Sequence, residues 1–88
     1  MNIAVFASHN GSDLQAIIDA CENNLIKANV RIVLSNNADS MALERAKTAG
    51  IDNYHVSVKV YGDEKLLDNI ILDILTSHEI DIIFLPDI

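Results

Sequence analysis

Ile3-Ala4-Val5-Phe6-Ala7-Ser8-His9-Asn10-Gly11-Ser12-Asp13-Leu14 is the stretch that sets the architecture. Ile3 to Ala7 is an unbroken apolar run, the pattern of a strand buried on both faces by flanking helices; a strand with one wet face would alternate. The run ends at Ser8-His9-Asn10-Gly11, a cluster of turn formers. From there Leu14, Ile17, Ile18 and Cys21 take the i, i+3, i+4, i+7 spacing of one helical face. Ser12 with Gln15 three residues on reads as a capping box at the start of that helix.

The same alternation continues downstream. Val30 to Leu34 is a second β-branched strand that stops at Ser35-Asn36-Asn37. A second helix is expected to start near Asp39 or Ser40 and to turn Met41 or Ala42, Ala46 and Ala49 inward, with Gly50 at the left-handed C-terminal cap. Tyr54 to Val58 is a weaker strand. After Tyr61-Gly62-Asp63 comes the clearest helical period in the chain, Leu66, Leu67, Ile70, Ile71, Ile74 and Leu75, in a third helix over residues 64 to 78. Ile80 to Leu85 is an apolar strand stopped by Pro86. Strands alternating with helices in this order imply right-handed crossovers and an α/β fold: a three-layer, Rossmann-like parallel sheet of βαβαβαβ order.

Composition bounds the partners. At 88 residues the chain is one domain or part of one, burying only roughly 60 to 65% of its unfolded surface. Half of its residues are apolar, yet no window approaches the roughly 20 apolar residues of a membrane span. The N-terminus has no basic stretch before its apolar run, so it reads as a strand and not a signal peptide, and a cytoplasmic location is expected. A net charge of −7 with six scattered basic residues argues against nucleic acid or an anionic membrane as partner. Cys21, the single cysteine, excludes an internal disulfide; on the apolar face of its helix it reads as a small buried hydrophobe. His9, His55 and His78 share no ligand spacing, so no metal site is expected. Asp68 and Asp73 read as a solvated helix face.

In parallel sheets of this kind a ligand binds beyond the carboxyl ends of the strands, where loops and helix N-termini meet. The first loop sits there. A helix N-terminus offers backbone N–H groups and a partial positive charge that suit a phosphate. Gly11 lets the backbone approach an anion and Ser12 can add a hydroxyl; equally, Gly11 can serve only the turn and Ser12 only the cap.

Ser8-x-Asn10-Gly11-Ser12 followed by Leu14-Gln15-Ala16-Ile17-Ile18-Asp19-Ala20, then Ser35-Asn36, Leu43-Glu44-Arg45-Ala46 through Ala49-Gly50-Ile51, and Ile80-Asp81-Ile82-Ile83-Phe84-Leu85, resemble the N-terminal half of glycinamide-ribonucleotide formyltransferases. The match is in order and covers nearly the whole chain. It implies that the first loop, through Asn10, Gly11, Ser12 and Asp13, holds the phosphate of glycinamide ribonucleotide. The parent enzyme takes its formyl group from 10-formyltetrahydrofolate in purine synthesis.

The departures from the family pattern fall on ligand positions. His9 and Asp13 stand where the family has glycine and asparagine, and a carboxylate in the first turn repels a bound phosphate, by about 1 kcal/mol at ~4 Å in water and about 4 at an effective dielectric of ~20. Asn37 and Glu64 stand at or near family lysine and arginine positions, and Pro86-Asp87-Ile88 replaces the segment that leads into the folate-binding loops, so no folate is expected to bind well. The family's catalytic Asn, His and Asp belong to its second half, from an Asn-x-His-Pro motif onward. Asn53-Tyr54-His55 copies the spacing without the proline and is expected to be non-catalytic. The chain therefore reads as an N-terminal fragment without catalytic residues, one half-domain over residues 1–88. It is expected to bind the substrate phosphate weakly and to self-associate through the fourth strand or the third helix. The alternatives are a non-catalytic interaction or regulatory module on the same scaffold, or a fragment of a formyltetrahydrofolate deformylase.

Overall fold

The computed structural model describes residues 1–7 and 11–85. Four parallel strands, β1 (Asn2–Phe6), β2 (Asn29–Ser35), β3 (Asp52–His55) and β4 (Ile82–Phe84), form a sheet in the order β3-β2-β1-β4. The helices are α1 (Ser12–Glu22), α2 (Met41–Thr48), the single turn α3 (Val58–Tyr61) and α4 (Glu64–Ser77). Among the described residues no helix is long and apolar enough to cross a membrane.

β1 and β2 are the inner strands, and their side chains divide the core in two. Ile3, Val5 and Ala7 of β1 and its exit pack with Val30 and Val33 against Leu14 and Ile18 of α1 and Ala42, Leu43 and Ala46 of α2. On the other face Ala4, Ile32 and Leu34 meet Leu67, Ile71, Ile74 and Leu75 of α4. This is the three-layer arrangement expected of a strand that is apolar on both sides. Val30 and Val33 share a face although three residues apart. The register explains it: Ile3 pairs with Val30 but Ala4 with Ile32, so Arg31 is extra and exposed, and the bulge resets the alternation. Burying side chains such as Ile32, Val33 and Leu34 stabilises the fold by about 1.5 to 3 kcal/mol each relative to leaving them in water.

Element boundaries differ from the sequence expectation in four places, each with a local cause. α1 has no Ser12–Gln15 capping box. Its cap is Gly11, and the Gln15 side chain instead donates to Asp19 Oδ1 at 3.0 Å and accepts from Arg45 Nη1 at 3.3 Å. α2 does begin after Ser40, whose hydroxyl accepts from the Ala42 N–H. There Ala42, Leu43 and Ala46 are buried while Met41 and Ala49 are exposed, because the helix ends at Thr48 in a Schellman turn closed by Gly50 N–H to Lys47 and Ile51 N–H to Ala46. β3 spans Asp52–His55, and Val58 starts α3. An edge strand can only extend as far as its one neighbour, and β2 ends at Ser35, whose carbonyl takes the last ladder bond from Val56 N–H. β4 is shorter than Ile80 to Leu85, since the Ile80 N–H is used to close α4 on Leu75.

At the amino ends of the strands a polar clamp fixes β4 beside β1. Asn2 N–H donates to Asp81 Oδ2 at 2.8 Å, Asp81 N–H to the Asn2 carbonyl at 2.9 Å, and Asn2 Nδ2 to the Glu79 carbonyl at 3.0 Å. At the same end His78, the cap residue of α4, reaches β3: its Nε2 lies 3.2 Å from Asp52 Oδ2 and 3.3 Å from the Tyr54 hydroxyl.

Candidate phosphate-binding loop

The carboxyl ends of β2 and β3 lead into residues 36–40 and 56–57, and Gly11 precedes α1 on the stretch that follows β1. Of the loop residues read as phosphate ligands, Gly11, Ser12 and Asp13 are described; Asn10, with Ser8 and His9, lies outside the described residues. Gly11 is buried and left-handed, with φ 76° and ψ 22°. Its carbonyl accepts from Gln15 N–H at 2.9 Å, the first turn of α1. Having no side chain, it contributes no capping oxygen, and the chain enters the helix with the backbone of Ser12 and Asp13 forming the first turn. Ser12 and Asp13 are both exposed.

Gly11 is constrained from behind as well. A Cβ there would meet Ala42 Cα at 2.8 Å and Arg45 Cδ at 3.1 Å. The geometry shows why the turn needs this glycine: both its left-handed φ and the closeness of α2 exclude a side chain. Arg45 is the residue that sequence reasoning passed over. It lies half-buried against Gly11, and its guanidinium bonds Gln15 beside the first turn of α1, so a cation accompanies the helix N-terminus. Its signal was present, since Arg45 follows Ala42 by three residues and precedes Ala46 on an otherwise small, apolar inward face.

The remaining candidates are dispersed. Asn37 is used locally: its Oδ1 accepts from Asp39 N–H, and its backbone exchanges bonds with the buried Ser35 hydroxyl. Glu64 is the exposed first residue of α4, next to the capping Asp63. Asn53 donates to the Ile51 carbonyl at 3.0 Å, and Tyr54 packs under α4, which leaves only His55 of that triplet open; it lines a cavity of about 480 Å³ with Asn36, Asn37, Asp39, Ser57 and Lys59. Cys21 is half-buried beside the α1 and α2 core, and Asp68 and Asp73 are exposed. Pro86, Asp87 and Ile88 lie outside the described residues.

Residues 1–87 match the family model described as formyl transferase. The phosphoribosylglycinamide formyltransferase of Escherichia coli K12 is 46% identical over 88 residues, all of this chain and 39% of that protein. The crystal structure of glycinamide ribonucleotide transformylase 1 from Symbiobacterium toebii superposes with a TM-score of 0.89 at 34% identity, over 97% of this chain and 40% of that one. A formyltetrahydrofolate deformylase from Pseudomonas putida KT2440 superposes with a TM-score of 0.84 but at 17% identity, covering 96% of this chain and 29% of that one, a likeness of fold alone. The chain thus spans about two-fifths of the length of the curated relative and of the transformylase structure.

Proposed function

This chain belongs to the formyl transferase family, and on that premise we propose that it is the substrate-phosphate scaffold of a phosphoribosylglycinamide formyltransferase. The parent reaction moves a formyl group from 10-formyltetrahydrofolate to glycinamide ribonucleotide in purine synthesis, in a cytoplasmic setting. The observation that carries the reading is the left-handed Gly11 that opens α1 without a side-chain cap, followed by the exposed Ser12. Asn10, Gly11 and Ser12 would hold the phosphate through backbone N–H groups and the Ser12 hydroxyl. The helix dipole and the Arg45 cation favour the anion, while Asp13 opposes it, so binding is weak.

The described residues do not fit a folate. At the carboxyl end of β4, Ile82, Ile83, Phe84 and Leu85 are all apolar and offer a pterin no polar side chain. No step through the cofactor is assigned to this chain. Its partners under this reading are the ribonucleotide phosphate and a second copy of itself, held through β4 or α4.

The test is a titration of the chain with inorganic phosphate and with a ribose 5-phosphate ester, followed by amide shifts. Saturable shifts centred on Gly11 and Ser12, lost in high salt, are expected. Shifts spread over the surface, or none at these two amides, would overturn the assignment.

A further inference from the structure

We propose that the open cavity at the carboxyl ends of β2 and β3 is a ribonucleoside site, taking the sugar hydroxyls and the base of a nucleotide whose 5′-phosphate reaches the first turn of α1. The cavity stands by itself; only the phosphate end of this ligand rests on the phosphate reading.

The cavity holds about 480 Å³, within the range of small-molecule sites. Its walls are Asn36, Asn37 and Asp39 after β2, and His55, Ser57 and Lys59 from the end of β3 to α3. It lies at the β3 side of the sheet, with β2 and β1 between that strand and β4. Backbone bonds fix these walls. The Val56 N–H donates to the Ser35 carbonyl at 2.8 Å, which holds the two strand ends together, and the Ala7 N–H donates to the Leu34 carbonyl at 2.9 Å, which brings the exit of β1 beside them. Asn37 Oδ1 accepts from the Asp39 N–H at 3.1 Å. The polar tips are not spent in the same way: the Asn36 amide, Asn37 Nδ2, the Asp39 carboxylate, the His55 ring and Lys59 Nζ bond no described residue.

The lining selects a neutral, hydroxyl-rich body over a simple anion. Lys59 brings a cation and Asp39 a carboxylate, so their charges offset, and the other described groups are amides, a hydroxyl and an imidazole. In a parallel sheet with phosphate at the loop after the first strand, a carboxylate beyond the second strand is placed to accept from the vicinal hydroxyls of a ribose. Asp39 stands there: it precedes by three residues Ala42, whose Cα packs behind Gly11. The Asn36 and Asn37 amides carry the donors and acceptors that match the ring heteroatoms and exocyclic groups of a base. The half-buried His55 ring supplies a face on which a base can stack.

The test is a set of amide-shift titrations of the 88-residue chain with adenosine, 2′-deoxyadenosine, adenosine 5′-monophosphate, ribose 5-phosphate and inorganic phosphate. Adenosine should shift Asn36, Asn37, His55 and Ser57 saturably and leave Gly11 unmoved. The monophosphate should bind about tenfold tighter than ribose 5-phosphate, the worth of one or two net hydrogen bonds. His55→Ala should erase that margin, and Asp39→Ala should erase the preference for adenosine over its deoxy form. If either variant unfolds, the comparisons on the parent chain decide. No saturable shift at the four cavity residues, equal binding of the monophosphate and ribose 5-phosphate, or equal binding of adenosine and 2′-deoxyadenosine by the parent chain would overturn the proposal. Phosphate shifts at Gly11 and Ser12 with adenosine inert would sink it and spare the phosphate reading; adenosine shifts with phosphate inert would do the reverse.

Discussion

Gly11 and Ala42 stand so close that a Cβ added to the glycine would lie 2.8 Å from the alanine Cα, backbone against side chain with nothing flexible between them. The left-handed φ of 76° adds a second penalty for any other residue. Gly11→Ala is therefore expected to cost about 2 to 4 kcal/mol, part from the αL conformation and part from overpacking against α2. Urea denaturation followed by circular dichroism measures it, and a loss below about 1 kcal/mol would show that α2 shifts aside freely.

Asp13 is exposed in the first turn of α1, beside the proposed anion site. Asp13→Asn removes a like charge, and at the high dielectric of an exposed site the relief is about 1 kcal/mol, or about fivefold in affinity for inorganic phosphate. The gain should shrink as ionic strength rises and screens the repulsion. Equal affinity for both forms at low salt would reject the electrostatic account.

Arg45 tests the other sign. Its guanidinium lies beside the same turn through Gln15, so Arg45→Met, which keeps much of the stem that packs near Gly11, should weaken phosphate binding severalfold while leaving the fold intact. Unchanged affinity would confine Arg45 to a packing role.

How far the sequence could be read follows from what each residue's environment requires. The inner strands were legible because Ile3 to Ala7 and Val30 to Leu34 must be apolar on both faces, and α4 because its inner and outer faces differ. The end of β3 was not, since Val56 and Val58 have strand-forming side chains and only the length of β2 tells the chain to leave the sheet. The bulge at Arg31 and the loss of the Ser12–Gln15 box have the same origin, a tertiary neighbour that outweighs a local preference. Of the candidate site, Gly11 and Ser12 were legible from the loop chemistry. Arg45 was hidden because its position depends on how closely α2 approaches α1, a distance no local pattern encodes.

Glu79 follows the α4 cap with φ 54°, a left-handed conformation that costs a non-glycine residue about 1 to 2 kcal/mol. Gly50 and Gly62 occupy the same region without that penalty. Glu79→Gly is expected to stabilise the chain by about 0.5 to 1 kcal/mol, the relief of strain exceeding the extra entropy glycine gains when unfolded. The carbonyl that receives Asn2 Nδ2 is backbone and survives the change. A lower denaturation midpoint in the variant would show that the Glu79 side chain contributes more than its backbone strain costs.

The last prediction is that the purified chain shows no formyl transfer from 10-formyltetrahydrofolate to glycinamide ribonucleotide. General acid–base work needs a group of suitable basicity held by a partner and within reach of the substrate. Of the two described histidines, His78 is committed elsewhere: its Nδ1 lies 2.8 Å from the Ile74 carbonyl, its ring meets Tyr54 edge-on at 5.8 Å, and it stands at the amino ends of the strands, opposite the phosphate loop. His55 is at the correct end, but it makes no side-chain hydrogen bond to a described residue that would orient it, and it lines an open cavity beside Lys59. His55→Ala and His78→Ala should therefore leave activity at the buffer level, as in the parent chain, while His78→Ala alone lowers stability by about 1 to 2 kcal/mol through its lost hydrogen bonds and packing. Turnover above a buffer control that survives repurification and disappears in His55→Ala would place a working acid or base in this scaffold and refute the prediction.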